Sequence, residues 1–181
     1  MTTFLPTLAD ISDAALTQAL QHTLDNKTKP QGSLGRLEDL GLKIGQILGT
    51  TAPVLEQPQM VVFAGDHGLT ARGISAFPSD VTWQMVENFL AGGAAVAVLA
   101  RQNGLALTVV DCGVKHDFLA GLPGGAERAG LQVRKAKGAE QGTADSSAQP
   151  AMTVAQRDEA LHHGMELVKG LPGNALLLGE M

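Results

Sequence analysis

The sequence predicts an α/β fold: a mainly parallel sheet covered by helices on both faces, preceded by an N-terminal helical appendage. From residue 59 onward, short and almost wholly apolar runs alternate with longer segments of helical periodicity. This alternation is typical of parallel sheets, because the helix that connects two parallel strands also covers one face of the sheet. The first fifty residues carry helical patterns only. No period of ~20 to 50 residues repeats, so a solenoid is not expected.

The appendage contains two predicted helices. Ser12 is placed to cap "DAALTQALQHTL", and Ser33 is placed to cap "LGRLEDLGLKIGQIL", in which Leu and Ile recur at helical spacing before Gly49. We expect residues 1–55 to form the helical part of a small domain and residues 56–181 to form an α/β, Rossmann-like domain.

The predicted strands are three almost wholly apolar runs and one short candidate, 131–136, in a less regular region. They are "MVVFAG" (60–65), "LALTVVDCG" (105–113), "LQVRKA" (131–136) and "NALLLG" (174–179). One or two helices that begin at Ser79 separate the first two runs, so these runs should form a β-α-β unit with parallel pairing. Thr153 opens a further helix before the last run, and Gln156 three residues on completes the spacing of a capping box.

Composition and charge exclude several classes of partner. The chain of 181 residues has 18 acidic and 13 basic residues, and no block of Lys or Arg. Nucleic acid and anionic membranes are therefore not expected as partners. The one cysteine, Cys112, cannot form an internal disulfide and favours a reducing, cytoplasmic setting. The N-terminus lacks the pattern of a signal peptide, and no apolar run approaches the ~18 to 20 residues of a membrane span.

The first candidate site is "FAGDHG", at the end of the first predicted strand. Sites in open parallel sheets lie outside the carboxyl ends of the strands, and the glycines here let a ligand approach Asp66 and His67. Metallophosphoesterases use a Gly-Asp-x-His-Gly run, but the intervening residue is missing here, so no metal is expected. A structural alternative stays open, in which Asp66 caps a turn and His67 fills a polar niche.

The second candidate site is "GISAFPSDVTWQM". Pro78 and Ser79 mark the start of a helix, and Asp80 in its first turn complements the helix dipole. Gln84, one turn inside, can reach a ligand that lies over the helix start. Trp83 is expected in the core or at an interface.

The third candidate site is "VVDCGVKHDF". Asp111 ends a strand there and suits either a ribose or a structural contact, while residues 115–117 can equally form a solvated loop. His22, His162 and His163 lie in predicted helices without metal-ligand spacing, and neither a phosphate-loop nor a dinucleotide signature occurs. The residues alone therefore indicate a site, but no reaction and no cofactor.

Taken in order, five segments resemble the nicotinate-nucleotide:dimethylbenzimidazole phosphoribosyltransferase family over nearly the whole chain. They are "TKPQGSLGRLEDL", "VVFAGDHGLTARGISAFPSDVTWQMVENFLAGGAAVAVLAR", "VVDCGV", "PAMT" and "NALLLGEM". The resemblance implies a doubly wound α/β domain, a small helical domain and a homodimer. It also implies transfer of ribose 5-phosphate from nicotinate mononucleotide to 5,6-dimethylbenzimidazole, giving α-ribazole 5′-phosphate and nicotinate, in cobalamin biosynthesis.

The resemblance also implies a set of substrate-binding residues, in which Gln84 would hydrogen-bond the base while Met85 and Phe77 would supply apolar contact. The set comprises Asp66, His67, Pro78, Ser79, Gln84, Met85 and Glu180. No catalytic residue is assigned, because the family's general-base glutamate would lie beyond Met181.

The resemblance further implies that the chain is the N-terminal portion of a family chain, apparently truncated within the phosphate loop that begins at Gly179. We expect the polypeptide alone to turn over poorly or not at all, and its uncovered last strand to promote self-association. Two alternatives stay open. One is a shortened homologue that binds a benzimidazole-like base without catalysis, and the other is an α/β domain whose glycine motifs are only structural.

Overall fold

Two helices form the first of the two structural units of the chain, Met1–Val54 and Leu55–Met181. The computed structural model describes residues 7–123 and 127–181. Helix α1 spans Ala14–Asp25 and helix α2 spans Arg36–Leu48. A side chain at Gly45 of α2 would overlap Leu20 of α1, so glycine permits the two helices to approach closely.

Both predicted caps of these helices are wrong. Asp13 caps α1, because its side chain accepts a hydrogen bond from the backbone N–H of Leu16, whereas the backbone N–H of Ser12 donates to Asp10. Helix α2 begins after Gly35, whose φ of 55° is accessible mainly to glycine, and no side chain caps it. The end of α2 at Gly49 is as predicted.

The second unit contains four parallel strands in the order β3-β2-β1-β4. Its elements are β1 (Gln59–Ala64), a short 3-10 helix (Gly68–Arg72), α3 (Asp80–Leu90), α4 (Ala95–Gln102), β2 (Ala106–Asp111), β3 (Leu131–Val133), α5 (Val154–Gly170) and β4 (Leu176–Glu180). In register, Val62 of β1 pairs with Val109 of β2 on one side and with Gly179 of β4 on the other. The predicted β-α-β unit and parallel sheet are confirmed.

The chain winds in both directions from β1. Helices α3 and α4 connect β1 to β2, and α5 connects β3 to β4 on the other side of β1. Because such crossovers are right-handed, opposite directions of winding place the two sets of helices on opposite faces of the sheet. The fold is therefore doubly wound, and the direction of winding reverses between β1 and β4.

Alternate residues of β1 pack on the two faces. Val62 and Ala64 belong to a buried cluster with Val86 and Phe89 of α3. Val61 belongs to a second cluster with β2 and α5 residues. β4 is an edge of the sheet in the described part of the chain, and its residues Leu176, Leu177 and Leu178 are exposed.

One helical stretch, Asp80–Gln102, is long and apolar enough to cross a membrane by length and composition alone. The sequence-based expectation that no apolar run approaches that length is therefore wrong. In the structure the stretch is two helices interrupted at Gly92, where φ is 78°. Val86 and Phe89 of its first half lie in the core of the α/β unit, so we interpret the stretch as a pair of core helices.

Candidate functional site

Loops at the carboxyl ends of β1 and β2, together with the start of α5, surround a cavity of about 670 Å³. We call it the loop cavity. Small residues form much of its wall. The residues of the wall with polar or reactive side chains include Asp66, His67, Cys112, Thr143, Thr153 and Gln156. The last two belong to the capping box of α5, which is present as predicted.

A second cavity, of about 530 Å³, lies between α3, the start of α4 and the end of β4. We call it the switch-point cavity, because it lies beside β1 and β4, between which the direction of winding reverses; its wall runs along the α3 face of the sheet, from Met60 near the start of β1 to Met181 after β4. Its wall is mainly apolar and includes Met60, Met85, Phe89, Glu180 and Met181. An apolar slot of this kind suits a flat aromatic ring.

Asp66 lies two residues beyond β1 and is only 4% exposed. Its Oδ1 accepts a hydrogen bond from Ser79 Oγ at 2.7 Å, and its Oδ2 accepts one from the backbone N–H of Lys115 at 2.8 Å. Its own N–H donates to the carbonyl of Gly113, and its carbonyl accepts from the N–H of Thr143. Asp66 thereby joins the end of β1 to the start of α3, the loop after β2 and the segment before α5.

His67 is exposed beside Asp66, at the rim of the loop cavity. Its Nδ1 lies 3.5 Å from Thr143 Oγ1, and its backbone forms an isolated parallel bridge with Thr143. A nearby ion pair joins Arg72 Nε to Asp145 Oδ2 at 2.6 Å. Hydrogen bonds from Ser147 and then from Arg72 lower the pKa of Asp145 to about 2.

Most of the candidate residues at the start of α3 line neither cavity. Ser79 precedes the helix but its side chain does not cap it, because the hydroxyl bonds to Asp66 instead. Pro78 and Gln84 are exposed and line neither cavity, and Phe77 is 68% exposed. Of the candidates on this segment, only Met85 lines the switch-point cavity.

Glu180 lies at the edge of the switch-point cavity, but its side chain is directed towards the other face of the sheet. In register it pairs with Phe63, which packs on the α5 face of the sheet. Its neighbours Gly179 and Met181 face the α3 side, since Gly179 is paired with Val62. The structure therefore divides the candidate residues: Asp66 and His67 line the loop cavity, while Met85 and Glu180 line the switch-point cavity.

Asp111 makes structural contacts at the end of β2. It is 1% exposed, its Oδ1 accepts from the backbone N–H groups of Gly113 and Val114, and its Oδ2 lies 3.1 Å from Lys135 Nζ. The sequence left open a ribose or a structural contact, and the geometry supports the structural one. Cys112 is exposed at the wall of the loop cavity, yet desolvation by the surrounding atoms, and then the charge of Asp111, raise the pKa of its thiol to about 11.

Sequence reasoning missed a group of side chains around Trp83. Its ring stacks on His116 with centroids 4.8 Å apart, and His116 in turn meets Phe118 edge to face. Glu87, one turn further along α3, is paired with Arg128, whose hydrogen bonds lower the pKa of Glu87. Trp83 packs against the core as expected, but nothing in the pattern "VKHDF" indicates that its histidine stacks on this ring.

Within residues 7–123 and 127–181, no three His, Cys, Asp or Glu side chains are grouped so that they could hold a metal ion. The polar groups described above are instead engaged with one another or with the backbone. The arrangement is suited to binding organic ligands through an apolar slot and a few fixed hydrogen-bonding groups.

A doubly wound parallel sheet with a cavity at the carboxyl ends of its strands defines an α/β protein of the doubly wound class, whose sites lie at that edge. The family model described as "Phosphoribosyltransferase" matches residues 10–181, and the chain belongs to this family.

Curated relatives are similar across almost the whole chain. The nicotinate-nucleotide–dimethylbenzimidazole phosphoribosyltransferase of Variovorax paradoxus (strain S110) is 64% identical over 98% of the chain. The enzyme of the same name from Aromatoleum aromaticum is 53% identical over 94% of the chain. In each case the match covers 48% of the relative, so the chain spans about half the length of these relatives.

A solved structure is similar in fold. The crystal structure of nicotinate-nucleotide–dimethylbenzimidazole phosphoribosyltransferase from Thermus thermophilus matches with a TM-score of 0.78 and 36% identity. The match covers 94% of this chain and 49% of that one. The α/β fold predicted from the sequence and the family resemblance are thus confirmed.

Proposed function

We propose that this chain provides the base-binding part of an enzyme that transfers ribose 5-phosphate from nicotinate mononucleotide to 5,6-dimethylbenzimidazole. The products are α-ribazole 5′-phosphate and nicotinate, in cobalamin biosynthesis. The names of the relatives support the reaction, and one structural observation carries the assignment of the base site. That observation is the apolar switch-point cavity, with Met60, Met85 and Phe89 in its wall.

The chemistry of the reaction matches such a site. The pyridinium of nicotinate mononucleotide is already a cationic leaving group and needs no acid. The protein must therefore hold the incoming base opposite the leaving group, remove its proton and bind the phosphate. An apolar cavity suits the first of these tasks, because it can bury the carbocycle of the base.

The test is a calorimetric titration of residues 1–181 with 5,6-dimethylbenzimidazole. We expect binding that weakens by about tenfold or more in Met85→Gln, because an amide replaces apolar contact within the cavity. Met165→Gln is the matched control, since Met165 lies on α5 and lines neither cavity. Equal binding by both variants, or no binding by the unmodified chain, would contradict the proposed base site.

A second candidate function is binding of the base without transfer of ribose. One observation favours it: among the residues that line the switch-point cavity, Glu180 is the one that could accept a proton from the base, and the register of β4 directs its side chain towards the other face of the sheet. Release of nicotinate from nicotinate mononucleotide decides between the two functions. A non-catalytic module binds the base and releases no nicotinate, whereas rapid release by residues 1–181 supports the transferase.

The assembly and location of the protein are also part of this proposal. The exposed leucines of β4 support association into a homodimer, which sedimentation at several protein concentrations would measure. A cytoplasmic location is supported by the use of one cysteine in the whole sequence. Residues 1–55 would supply the helical part of a small domain.

A further inference from the structure

Met85 presents a flexible apolar side chain to the switch-point cavity. It lines the cavity together with Phe89 and Met181, and it packs against the buried cluster that contains Val86. A methionine side chain has three rotatable bonds and adapts to gaps of irregular shape, so by itself it makes a wall without a fixed form. A group that fixes the thioether would give this part of the wall a defined shape.

Asn88 supplies such a group from the next turn of α3. Its Nδ2 lies 3.7 Å from Met85 Sδ and donates a hydrogen bond to it. The side chain of a helical residue covers the turn before its own Cα, which places residue 88 over residue 85. Asn88 also lines the cavity. A thioether sulfur is a weak acceptor, so the amide must itself be held in place for this contact to persist.

Gly93 provides the space that the amide of Asn88 occupies. An added Cβ at position 93 would lie 2.3 Å from Asn88 Oδ1. The backbone keeps the two residues together, because the N–H of Gly93 donates to the carbonyl oxygen of Asn88 at 3.0 Å. Unlike Gly92, Gly93 does not have a positive φ, so the space taken by the amide, and not the backbone conformation, requires glycine here.

We infer that Asn88 is a positioning residue whose amide, packed against Gly93, holds the Met85 thioether in one orientation at the wall of the switch-point cavity. What this orientation selects rests on the proposed function. A thioether that is already fixed loses no further side-chain freedom when a base binds, so its contact with methyl groups on the carbocycle contributes in full. Asn88 thereby sets the preference for a base that carries such methyl groups.

The positioning is tested without ligand by the carbon-13 NMR signal of the Met85 ε-methyl group, which reports whether the thioether samples one rotamer or several. The chain has six methionines, and the Met85 signal is assigned by its absence in Met85→Leu. In Asn88→Asp the side chain keeps its shape but has no N–H donor. We therefore expect the signal to shift towards its position in the unfolded chain.

Gly93→Ala makes the same test without altering Asn88. The added methyl group meets the end of a flexible side chain, so the fold should persist while the amide leaves Met85, and we expect the same shift. Asn103→Asp and Gly164→Ala are matched controls that should leave the signal unchanged. The amide of Asn103 donates to a backbone carbonyl, and nothing lies within 4 Å of a Cβ added at Gly164.

The two variants decide different parts of the inference. An unchanged Met85 signal in Asn88→Asp would overturn the positioning role of Asn88. An unchanged signal in Gly93→Ala would overturn the role of Gly93. If Asn88→Asp does not fold, Gly93→Ala decides the positioning role, because it displaces the same amide.

Calorimetry on residues 1–181 tests the selectivity with 5,6-dimethylbenzimidazole and unsubstituted benzimidazole, which differ only in two methyl groups. We expect the unmodified chain to bind the dimethyl compound about tenfold more tightly. In Asn88→Asp and Gly93→Ala this ratio should fall below about threefold, whereas the two controls should keep it. Equal binding of the two compounds by the unmodified chain, or an unchanged ratio in both variants, would overturn the selectivity. If neither compound binds the unmodified chain, the proposed base site is overturned, and the methyl signal still decides the positioning of Met85.

Discussion

Lys135 Nζ lies 3.1 Å from Oδ2 of Asp111, and it also donates to the carbonyl oxygens of Val114 and His116. Asp111 is 1% exposed, so this ammonium is the counter-charge of a carboxylate that water scarcely reaches. One lysine from the segment after β3 thus holds the loop that follows β2. The arrangement makes Lys135 a structural residue of the sheet edge where the loop cavity lies.

Replacing Lys135 by Met should therefore destabilise the α/β unit. Removing one partner of a buried pair costs about 3 to 5 kcal/mol, and we expect about 2 kcal/mol here because Asp111 keeps two backbone N–H donors. Urea unfolding followed by circular dichroism measures the change. Lys137→Met is the control, since residue 137 is exposed and should change stability by less than about 0.5 kcal/mol. Equal effects of the two substitutions would contradict the structural role of Lys135.

Gly142→Ala should destabilise the fold more than an ordinary glycine substitution. Gly142 has a φ of 86°, and a Cβ there would overlap the carbonyl oxygen of Asp66. We expect a loss of about 3 kcal/mol, because backbone strain of about 1 to 2 kcal/mol is joined by the displacement of a buried segment.

The control for this substitution is Gly121→Ala. Gly121 has a similar φ of 79° but no atom within 4 Å of an added Cβ, so only the backbone strain of about 1 kcal/mol applies. Thermal and urea unfolding compare the two variants. A loss at position 142 no larger than that at position 121 would show that the contact with Asp66 is unimportant for stability.

The ion pair at the rim of the loop cavity should make stability depend on pH. The pKa of Asp145 is lowered to about 2 by Ser147 and Arg72, below its ordinary value of 3.8. A carboxyl group with a lowered pKa contributes stability that is present above its ordinary pKa and is lost as the pH falls towards the folded value. Asp145→Asn should therefore lose less stability than the unmodified chain between about pH 5 and about pH 3. The urea concentration at the midpoint of unfolding measures this difference. An equal decrease of the midpoint in Asp145→Asn and in the unmodified chain over this pH range would refute the contribution of Asp145.

Cys112 should react slowly with alkylating reagents near neutral pH. The thiolate is the nucleophile, and although Cys112 is exposed, desolvation by the surrounding atoms followed by the charge of Asp111 raises the pKa of this thiol to about 11. The rate of iodoacetamide labelling, followed by intact mass, should rise with pH well beyond the range in which N-acetylcysteine reaches its plateau. Since Cys112 is the one cysteine of the chain, the measurement has no competing site. A plateau at the same pH as the free thiol would contradict the raised pKa.

The sequence predicts the α/β unit better than it predicts the details at the carboxyl edge of the sheet. Almost wholly apolar runs, which are typical of parallel strands, identify β1, β2 and β4, and β3 lies within the short candidate run 131–136. The capping box of α5 is also predicted, since Thr153 and Gln156 interact locally. The prediction of a helix cap fails where another residue competes. Asp13, and not Ser12, caps α1. The hydroxyl of Ser79 does not cap α3, because it donates a hydrogen bond to Asp66, 13 positions away in the sequence.

The candidate site shows the same division between local and long-range information. Asp66 is visible as a polar residue after a strand, but its bonds to Ser79 and Lys115 join segments that are distant in sequence. Periodicity and turn chemistry describe neighbours along the chain, so they cannot show which side chains meet across loops. The division of the candidates between two cavities likewise depends on the pairing of β4 with β1, which no single segment specifies.

The stack of Trp83 on His116 gives the α/β unit an intrinsic optical label. The sequence holds one tryptophan, so its emission reports a single place, where α3 meets the loop after β2. The same loop supplies Lys115, whose backbone N–H binds Asp66. A ligand that shifts this loop therefore changes the emission of Trp83, and occupancy of the carboxyl edge of the sheet can be followed in the unmodified protein without an added dye.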